Sequence, residues 1–128
     1  MKTLNNLFIA GAVALMILPA FVSCRKKEDT IAKIYVRGAS NEAISGATVR
    51  LMPSATMATP GQSINDNFPM VSTSNTSGEA IFNFNEVYQL GQAGVVVIDI
   101  NVQKGSASGQ GIIKVDQETT SEETVFIQ

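Results

Sequence analysis

The sequence contains no histidine and no tryptophan, and its single cysteine is Cys24. The absence of histidine excludes Ser-His-Asp and Cys-His catalysis, and it excludes zinc sites that use imidazole ligands. One cysteine cannot form an internal disulfide or a Cys-x-x-Cys redox pair. A large excess of one charge is also absent, since 9 basic residues face 11 acidic ones, so no strong field attracts nucleic acid. What remains is a chain of 128 residues, a length typical of one domain.

An uncharged apolar run occupies most of the amino-terminal segment. It extends from Leu7 to Val22, follows the basic residue Lys2 and contains Pro19 near its end. A membrane-spanning helix needs about 20 apolar residues, which is more than this run provides. A short basic start followed by a short apolar segment is typical of a secretory signal peptide. We therefore predict that residues 1–23 form a signal peptide.

The end of this segment resembles a lipoprotein processing site. Phe21-Val22-Ser23-Cys24 is similar to the lipobox of bacterial lipoproteins, with phenylalanine where leucine is usual and a small serine before the cysteine. The resemblance implies cleavage before Cys24 and acylation of its thiol with fatty-acid chains such as palmitate. Each buried methylene contributes about 0.8 kcal/mol, so two or three chains hold a protein on a membrane where one is marginal. The alternative is an ordinary signal peptide that ends near a cysteine.

Residues 24–30 are expected to form a polar tether whose charges keep it solvated. Within it, Lys27, Glu28 and Asp29 resemble the surface-export signal of Bacteroidota lipoproteins, a lysine followed by two acids. The alternative is a plain solvated spacer. We expect a lipid-anchored protein of the outer membrane, and the choice between the cell surface and the periplasmic face stays open.

From residue 31 onward, apolar residues recur at every second position, which is typical of β-strands with one buried face. Ala32, Ile34 and Val36 share a face in the first such segment. The most apolar segment runs from Val95 to Val102, and Asp99 indicates that its even-numbered residues are buried. Seven short strands separated by turn residues predict one antiparallel β-sandwich over residues 31–128. The predicted strand segments are 32–37, 47–51, 70–74, 80–84, 95–102, 111–115 and 124–128.

Two glycine-containing segments resemble those of carboxypeptidase regulatory-like domains, the transthyretin-like or prealbumin-like sandwiches. Residues 43–51 are similar to a hydrophobic-x-Gly-Ala-x-Val pattern around Gly46, and residues 74–82 to a Thr-x-x-x-Gly-x-Ala-x-Phe pattern around Gly78. Each glycine is expected in a tight turn. The resemblance implies a seven-stranded Ig-like or transthyretin-like sandwich. The hydrolase branch of that family relies on histidine, so its activity does not carry over to this chain.

Residues 53–77 form a long stretch that contains three of the four prolines and has room for at most one short strand. Loops of this length are usually functional or disordered. We predict a partner-contact loop, because flexible methionine side chains suit such surfaces. The alternative is an ornamented surface loop. The candidate contact residues are Met57, Ile64, Phe68 and Met70.

Carboxylates are the acid–base groups that remain. We expect them to lie at strand edges and in a polar loop, solvated rather than catalytic. Asn65-Asp66-Asn67 fits a turn better than a calcium site, because it lacks the spacing of an EF-hand loop. No metal and no cofactor are therefore expected. The carboxylates considered are Asp99, Asp116, Glu118, Glu122 and Glu123.

These observations predict a non-enzymatic outer-membrane lipoprotein that acts as an accessory or interaction module for another envelope protein. The acyl chains on Cys24 would attach it to the membrane. The long loop and exposed strand edges would contact the partner protein. The alternative is a free-standing cell-surface module that binds a ligand or glycan, with Tyr35 and Tyr88 as candidate contacts. Neither interpretation involves nucleic acid.

Overall fold

The computed structural model describes residue 24 and residues 26–54, 68–86 and 95–128. Within these ranges the chain forms seven β-strands and no helix, which confirms the all-β prediction. No helix in this part of the chain is therefore long and apolar enough to cross a membrane. In chain order the strands are β1 (Ile31–Arg37), β2 (Thr48–Pro53), β3 (Met70–Thr73), β4 (Glu79–Asn83), β5 (Val95–Lys104), β6 (Ala107–Asp116) and β7 (Thr120–Phe126).

The strands form two sheets in a sandwich-like arrangement. Sheet A has the order β4-β1-β7, and sheet B has the order β3-β2-β5-β6. Sheet B is antiparallel throughout, but β7 runs parallel to β1 in sheet A. The prediction of a fully antiparallel sandwich is therefore wrong for this pair. Alternation identifies a buried face but not a strand direction, and the strands between β1 and β7 supply the long connection that parallel neighbours need.

Alternate residues of both sheets meet in one core, as the sequence pattern predicts. Ala32, Ile34 and Val36 of β1 are buried, and so are the even-numbered residues from Val96 to Val102 in β5. Full burial of an aliphatic or phenylalanine side chain contributes about 1.5–3 kcal/mol. The core also contains Ala47, Val49, Leu51, Ala80, Phe82, Phe84, Ile113, Val115, Val125 and Ile127.

Strand β6 begins at Ala107 rather than at the predicted residue 111, because the connection from β5 is a two-residue turn at 105–106. A Cβ atom on Gly109 would overlap the carbonyl oxygen of Phe126. Glycine therefore lets β6 approach β7 closely. Backbone hydrogen bonds between Ser108 and Gln128 fasten the same two segments. One side of the sandwich is closed in this way.

The two glycines of the recognised segments lie in tight turns, as predicted. Gly46 and Gly78 have φ angles of 72° and 75°. Ser74, which is buried, joins the turns: its Oγ accepts a hydrogen bond from the Ala47 N–H at 2.9 Å and donates one to the Ile44 carbonyl at 2.7 Å. The two segments therefore meet through one hydroxyl group.

One end of the sandwich receives the tether, and we call it the tether pole. The first residue of β1 lies there beside the end of β4 and the start of β7. The short turn from β6 to β7 brings the start of β5, the end of β2 and the start of β3 to the same pole. The opposite end, the distal pole, carries the 105–106 turn and the carboxyl-terminal residue Gln128.

Candidate functional site

The predicted lipidation site and tether residues lie at the surface. Cys24 is exposed, and so are Lys27, Glu28 and Asp29. Asn85 connects the tether to the domain, because its Nδ2 donates to the Asp29 carboxylate at 2.8 Å and its Oδ1 accepts the Thr30 N–H at 2.8 Å.

Thr30 continues this connection inside the domain. It is 1% exposed, and its Oγ1 accepts the Glu118 N–H at 2.9 Å. The domain therefore begins at Thr30, and six residue steps separate Thr30 from Cys24.

Two candidate residues of the predicted contact loop pack against the core. Phe68 and Met70 are half-buried and pack against the core cluster. The Phe68 ring lies 6.3 Å from that of Phe84, centroid to centroid, with a tilt of 49°. Met57 and Ile64 lie outside the described residues. The contact loop stays a prediction, and Phe68 and Met70 also hold its carboxyl-terminal end against the domain.

The outer face of sheet B concentrates exposed apolar side chains. The described residues include six large hydrophobic side chains that are exposed, and four of them lie on this face. Three of these four, Met52, Val95 and Ile112, lie toward the tether pole. Met52 and Ile112 are the neighbours of Asp99 on the two adjacent strands. The four are Met52, Val71, Val95 and Ile112, and the other two, Ile81 and Phe126, lie on sheet A.

Polar side chains cover the half of this face nearer the distal pole. Arg50, Asn101 and Gln110 occupy one cross-strand row, since Asn101 pairs with Arg50 on β2 and with Gln110 on β6. Two depressions of about 550 and 410 Å³ share Asn101 and Gln110 in their walls. None of the three side chains makes a hydrogen bond or ion pair with another described residue, so their donors and acceptors are available to a binding partner.

The central strand of sheet B carries two residues that strands disfavour. Asp99 and Asn101 both point outward from β5, although aspartate and asparagine are depleted in β-strands. Neither side chain makes a hydrogen bond or an ion pair with a described residue. Residues that break a local preference without a stabilising contact are expected at functional positions. The outer face of sheet B is therefore the candidate site.

This site was missed in the sequence because its residues come from three separate strands. The available signal was the pair Asp99 and Asn101, two polar residues on one face of an otherwise apolar strand. Arg50 and Gln110 become their neighbours through strand pairing, which alternation does not reveal.

On sheet A, the hydroxyl of Tyr35 is already engaged. It donates a hydrogen bond to Oε1 of Glu122 at 3.1 Å. This hydrogen bond, together with desolvation and the charges of Glu122 and Glu79, raises the pKa of the Tyr35 phenol above its ordinary value. Tyr88, the other predicted ligand contact, lies outside the described residues.

The carboxylates considered in the sequence are dispersed. Glu122 and Glu123 lie in β7, which begins at Thr120 rather than at the predicted residue 124 because it pairs with the full length of β1. Asp116 forms an ion pair with Lys114 at 3.3 Å, at the margin of sheet B. No group of three or more His, Cys, Asp or Glu side chains lies together in the part of the chain that the structure describes. Asn65, Asp66 and Asn67 fall outside it.

No protein-family model matches the chain, and no curated protein matches it significantly. Among solved structures, the chain is similar to one titled "The Bacillus anthracis TIE protein", with 14% sequence identity and a TM-score of 0.47. The match covers 77% of this chain and 16% of that one. The chain thus corresponds to a small part of that protein.

Proposed function

We propose that this protein is a lipid-anchored outer-membrane lipoprotein, with a sandwich of the carboxypeptidase regulatory-like kind, that docks on another envelope protein and catalyses no reaction. The observation that carries the proposal is the outer face of sheet B. It combines most of the exposed large hydrophobic side chains of the described residues with a row of uncommitted polar groups.

The composition of this face favours a protein partner. The centres of protein interfaces are depleted in charged residues and enriched in methionine and arginine. In the middle of this face, Met52 and Arg50 are neighbours on β2. Asp99 is the one carboxylate among the outward residues at positions 99–103 of β5 and their partners on β2 and β6. The Lys114–Asp116 pair lies at its margin. The patch therefore has an apolar part toward the tether pole and a polar part toward the distal pole, and this mixture of apolar contacts and hydrogen-bonding groups suits a protein docking surface.

The tether would hold the domain close to the membrane. Six extended residue steps span at most about 21 Å between Cys24 and Thr30. Because Asn85 and Glu118 fasten Thr30 at the tether pole, that pole would face the membrane. The outer face of sheet B runs from this pole to the distal one, so it would be open to a neighbouring envelope protein from the side.

The anchor and the docking face are tested separately. Metabolic labelling with a fatty acid should modify the full-length protein and not Cys24→Ala, and equal labelling of both would contradict the lipoprotein assignment. A gentle detergent pull-down of the lipidated protein then compares Ile112→Lys with Ile81→Lys. Ile112 on sheet B is 59% exposed and Ile81 on sheet A is 50% exposed, so Ile81→Lys is a chemically matched control for Ile112→Lys. We expect the sheet B variant alone to lose a stoichiometric partner, and equal recovery with both would contradict docking at this face.

A second candidate function is favoured by the two depressions that share Asn101 and Gln110. Amide side chains offer both donors and acceptors, which suits a polyhydroxyl ligand such as a glycan. Retention on immobilised oligosaccharides that disappears in an Asn101→Ala, Gln110→Ala double variant would support this candidate. Recovery of the protein without any partner in the pull-down would point the same way.

A further inference from the structure

We propose that the partner contributes an extended strand that adds to the outer edge of β3 and continues sheet B. This inference rests on the proposed function and names the part of the partner that is recognised: a segment of backbone in strand conformation. Addition of a strand to a sheet edge gives affinity through main-chain hydrogen bonds. The edge of β3 supplies the groups that such a strand needs.

The register of β3 leaves two residues with outward backbone groups. The Ser74 N–H donates to the Ala47 carbonyl, so this residue faces β2. In an antiparallel pair the backbone groups alternate between the two sides, so Ser72 also faces β2 while Val71 and Thr73 face away from it. No described residue outside the strand ladder accepts or donates to the backbone of Val71 or Thr73.

The other sheet edges are engaged to a greater extent. The edges of β6 and β7 lie against each other and are joined by the Ser108–Gln128 hydrogen bonds. On β4, both backbone groups of Glu79 are used by Asn75, whose N–H donates to the Glu79 carbonyl and whose Oδ1 accepts the Glu79 N–H. Among the described residues, β3 therefore presents the edge with the least internal pairing.

Strand β3 is protected by its shortness, at four residues, but residues 70–73 lack other devices that block strand addition. Edge strands are commonly protected by charged side chains, proline within the strand or a bulge. Residues 70–73 carry no charge, and their pairing with β2 continues without a bulge. Val71 is 57% exposed on the outer face, next to Arg50. An added strand with an apolar residue beside Val71 would extend the same docking face.

The geometry of the tether favours another protein over a second copy of this chain. Two copies that pair antiparallel through β3 would point their tether poles in opposite directions. The ten residues of β5 span about 33 Å from pole to pole, which exceeds the roughly 21 Å reach of the tether. With strands upright on the membrane, both anchors could not reach the same bilayer. We therefore assign the strand to a different envelope protein.

Proline at position 73 tests strand addition with little effect on the ladder to β2. Because the Thr73 N–H faces away from β2, Thr73→Pro removes an outward donor, and proline is tolerated at such edge positions. Thr73→Ala keeps the N–H and is the matched control. Circular dichroism and urea unfolding verify that both variants fold. We expect Thr73→Pro to lower recovery of the co-purifying envelope protein at least tenfold and Thr73→Ala to change it less than twofold.

Hydrogen exchange provides an independent measurement on the complex isolated with the full-length lipidated protein. The Val71 and Thr73 amides should exchange at least tenfold more slowly in the complex than in the free protein. If Thr73→Pro retains the partner while Ile112→Lys loses it, strand addition is wrong and the docking face stands. If both variants retain it, the docking face fails as well. A dimer of this chain that Thr73→Pro dissociates would overturn the choice of occupant, and the absence of any stoichiometric partner would overturn both proposals.

Discussion

Ser74 is the residue whose removal tests the fold most sharply. Its Oγ accepts the N–H of Ala47 at 2.9 Å, and Ala47 is fully buried. Ser74→Ala therefore leaves a buried backbone donor without a partner and also removes the hydrogen bond to the Ile44 carbonyl at 2.7 Å. An unsatisfied buried polar group costs about 1–3 kcal/mol, and the second lost hydrogen bond adds roughly 0.5–1.5 kcal/mol. We expect a loss of about 2–3 kcal/mol in the free energy of unfolding.

The assay is urea unfolding of a soluble form that begins at residue 24 and carries Cys24→Ala. Ser77→Ala is the matched control, because Ser77 is exposed in the same turn and contributes its backbone N–H, not its hydroxyl, to Asn75. The control should change stability by less than about 0.5 kcal/mol. If Ser74→Ala costs no more than the control, then the hydroxyl does not satisfy the Ala47 N–H and the reasoning is refuted.

Three further predictions concern the turns, the phenol and the tether. Gly78→Ala should lower the free energy of unfolding by at least about 2 kcal/mol, because its φ is 75° and a Cβ atom would lie 2.7 Å from the Val36 carbonyl oxygen. Gly105→Ala, whose Cβ would meet no atom within 4 Å, should lower it by only about 1 kcal/mol. Equal losses in urea unfolding would contradict the steric argument. In a Tyr88→Phe background, the phenolate absorbance should titrate above the ordinary pKa of Tyr35, and Glu122→Gln should lower that pKa. Because the folded-state pKa is raised, this contact stabilises the fold below the ordinary phenol pKa, and the contribution is lost as pH rises through the folded-state value; an unchanged titration in Glu122→Gln would exclude the hydrogen bond as the main cause. Asn85→Ala should speed exchange of the Thr30 amide at least tenfold and lower stability by about 1–2 kcal/mol, and unchanged exchange would show that the tether is not held by this side chain.

Much of the fold follows from period-two alternation. The buried residues of β1 were predicted because apolar residues recur at every second position, and those of β5 because Asp99 lies on the opposite face of the strand. The positive φ angles of Gly46 and Gly78 agree with the tight turns that the glycine-containing segments indicate. Local physical chemistry determines these features, so a single sequence suffices to predict them.

Pairing between distant strands could not be read in the same way. The parallel neighbours β1 and β7 are separated by most of the domain, and alternation contains no information on direction. The same limit concealed the row formed by Arg50, Asn101 and Gln110, which exists only once β2, β5 and β6 are side by side. The last strand was predicted to begin too late because Glu122 and Glu123 are polar, and a strand at a sheet edge tolerates polar side chains. Phe68 looked like a surface contact because its packing partner, Phe84, is remote in sequence.

The most direct test of the account is hydroxyl-radical footprinting of the lipidated protein, alone and with its co-purified envelope partner. Met52, on the outer face of sheet B, and Phe126, on sheet A, are 42% and 52% exposed, and both side chains react readily with radicals. Docking through sheet B predicts that oxidation of Met52 falls severalfold in the complex while oxidation of Phe126 is unchanged. Protection of Phe126 with Met52 still fully reactive would contradict the account and move the docking surface to sheet A.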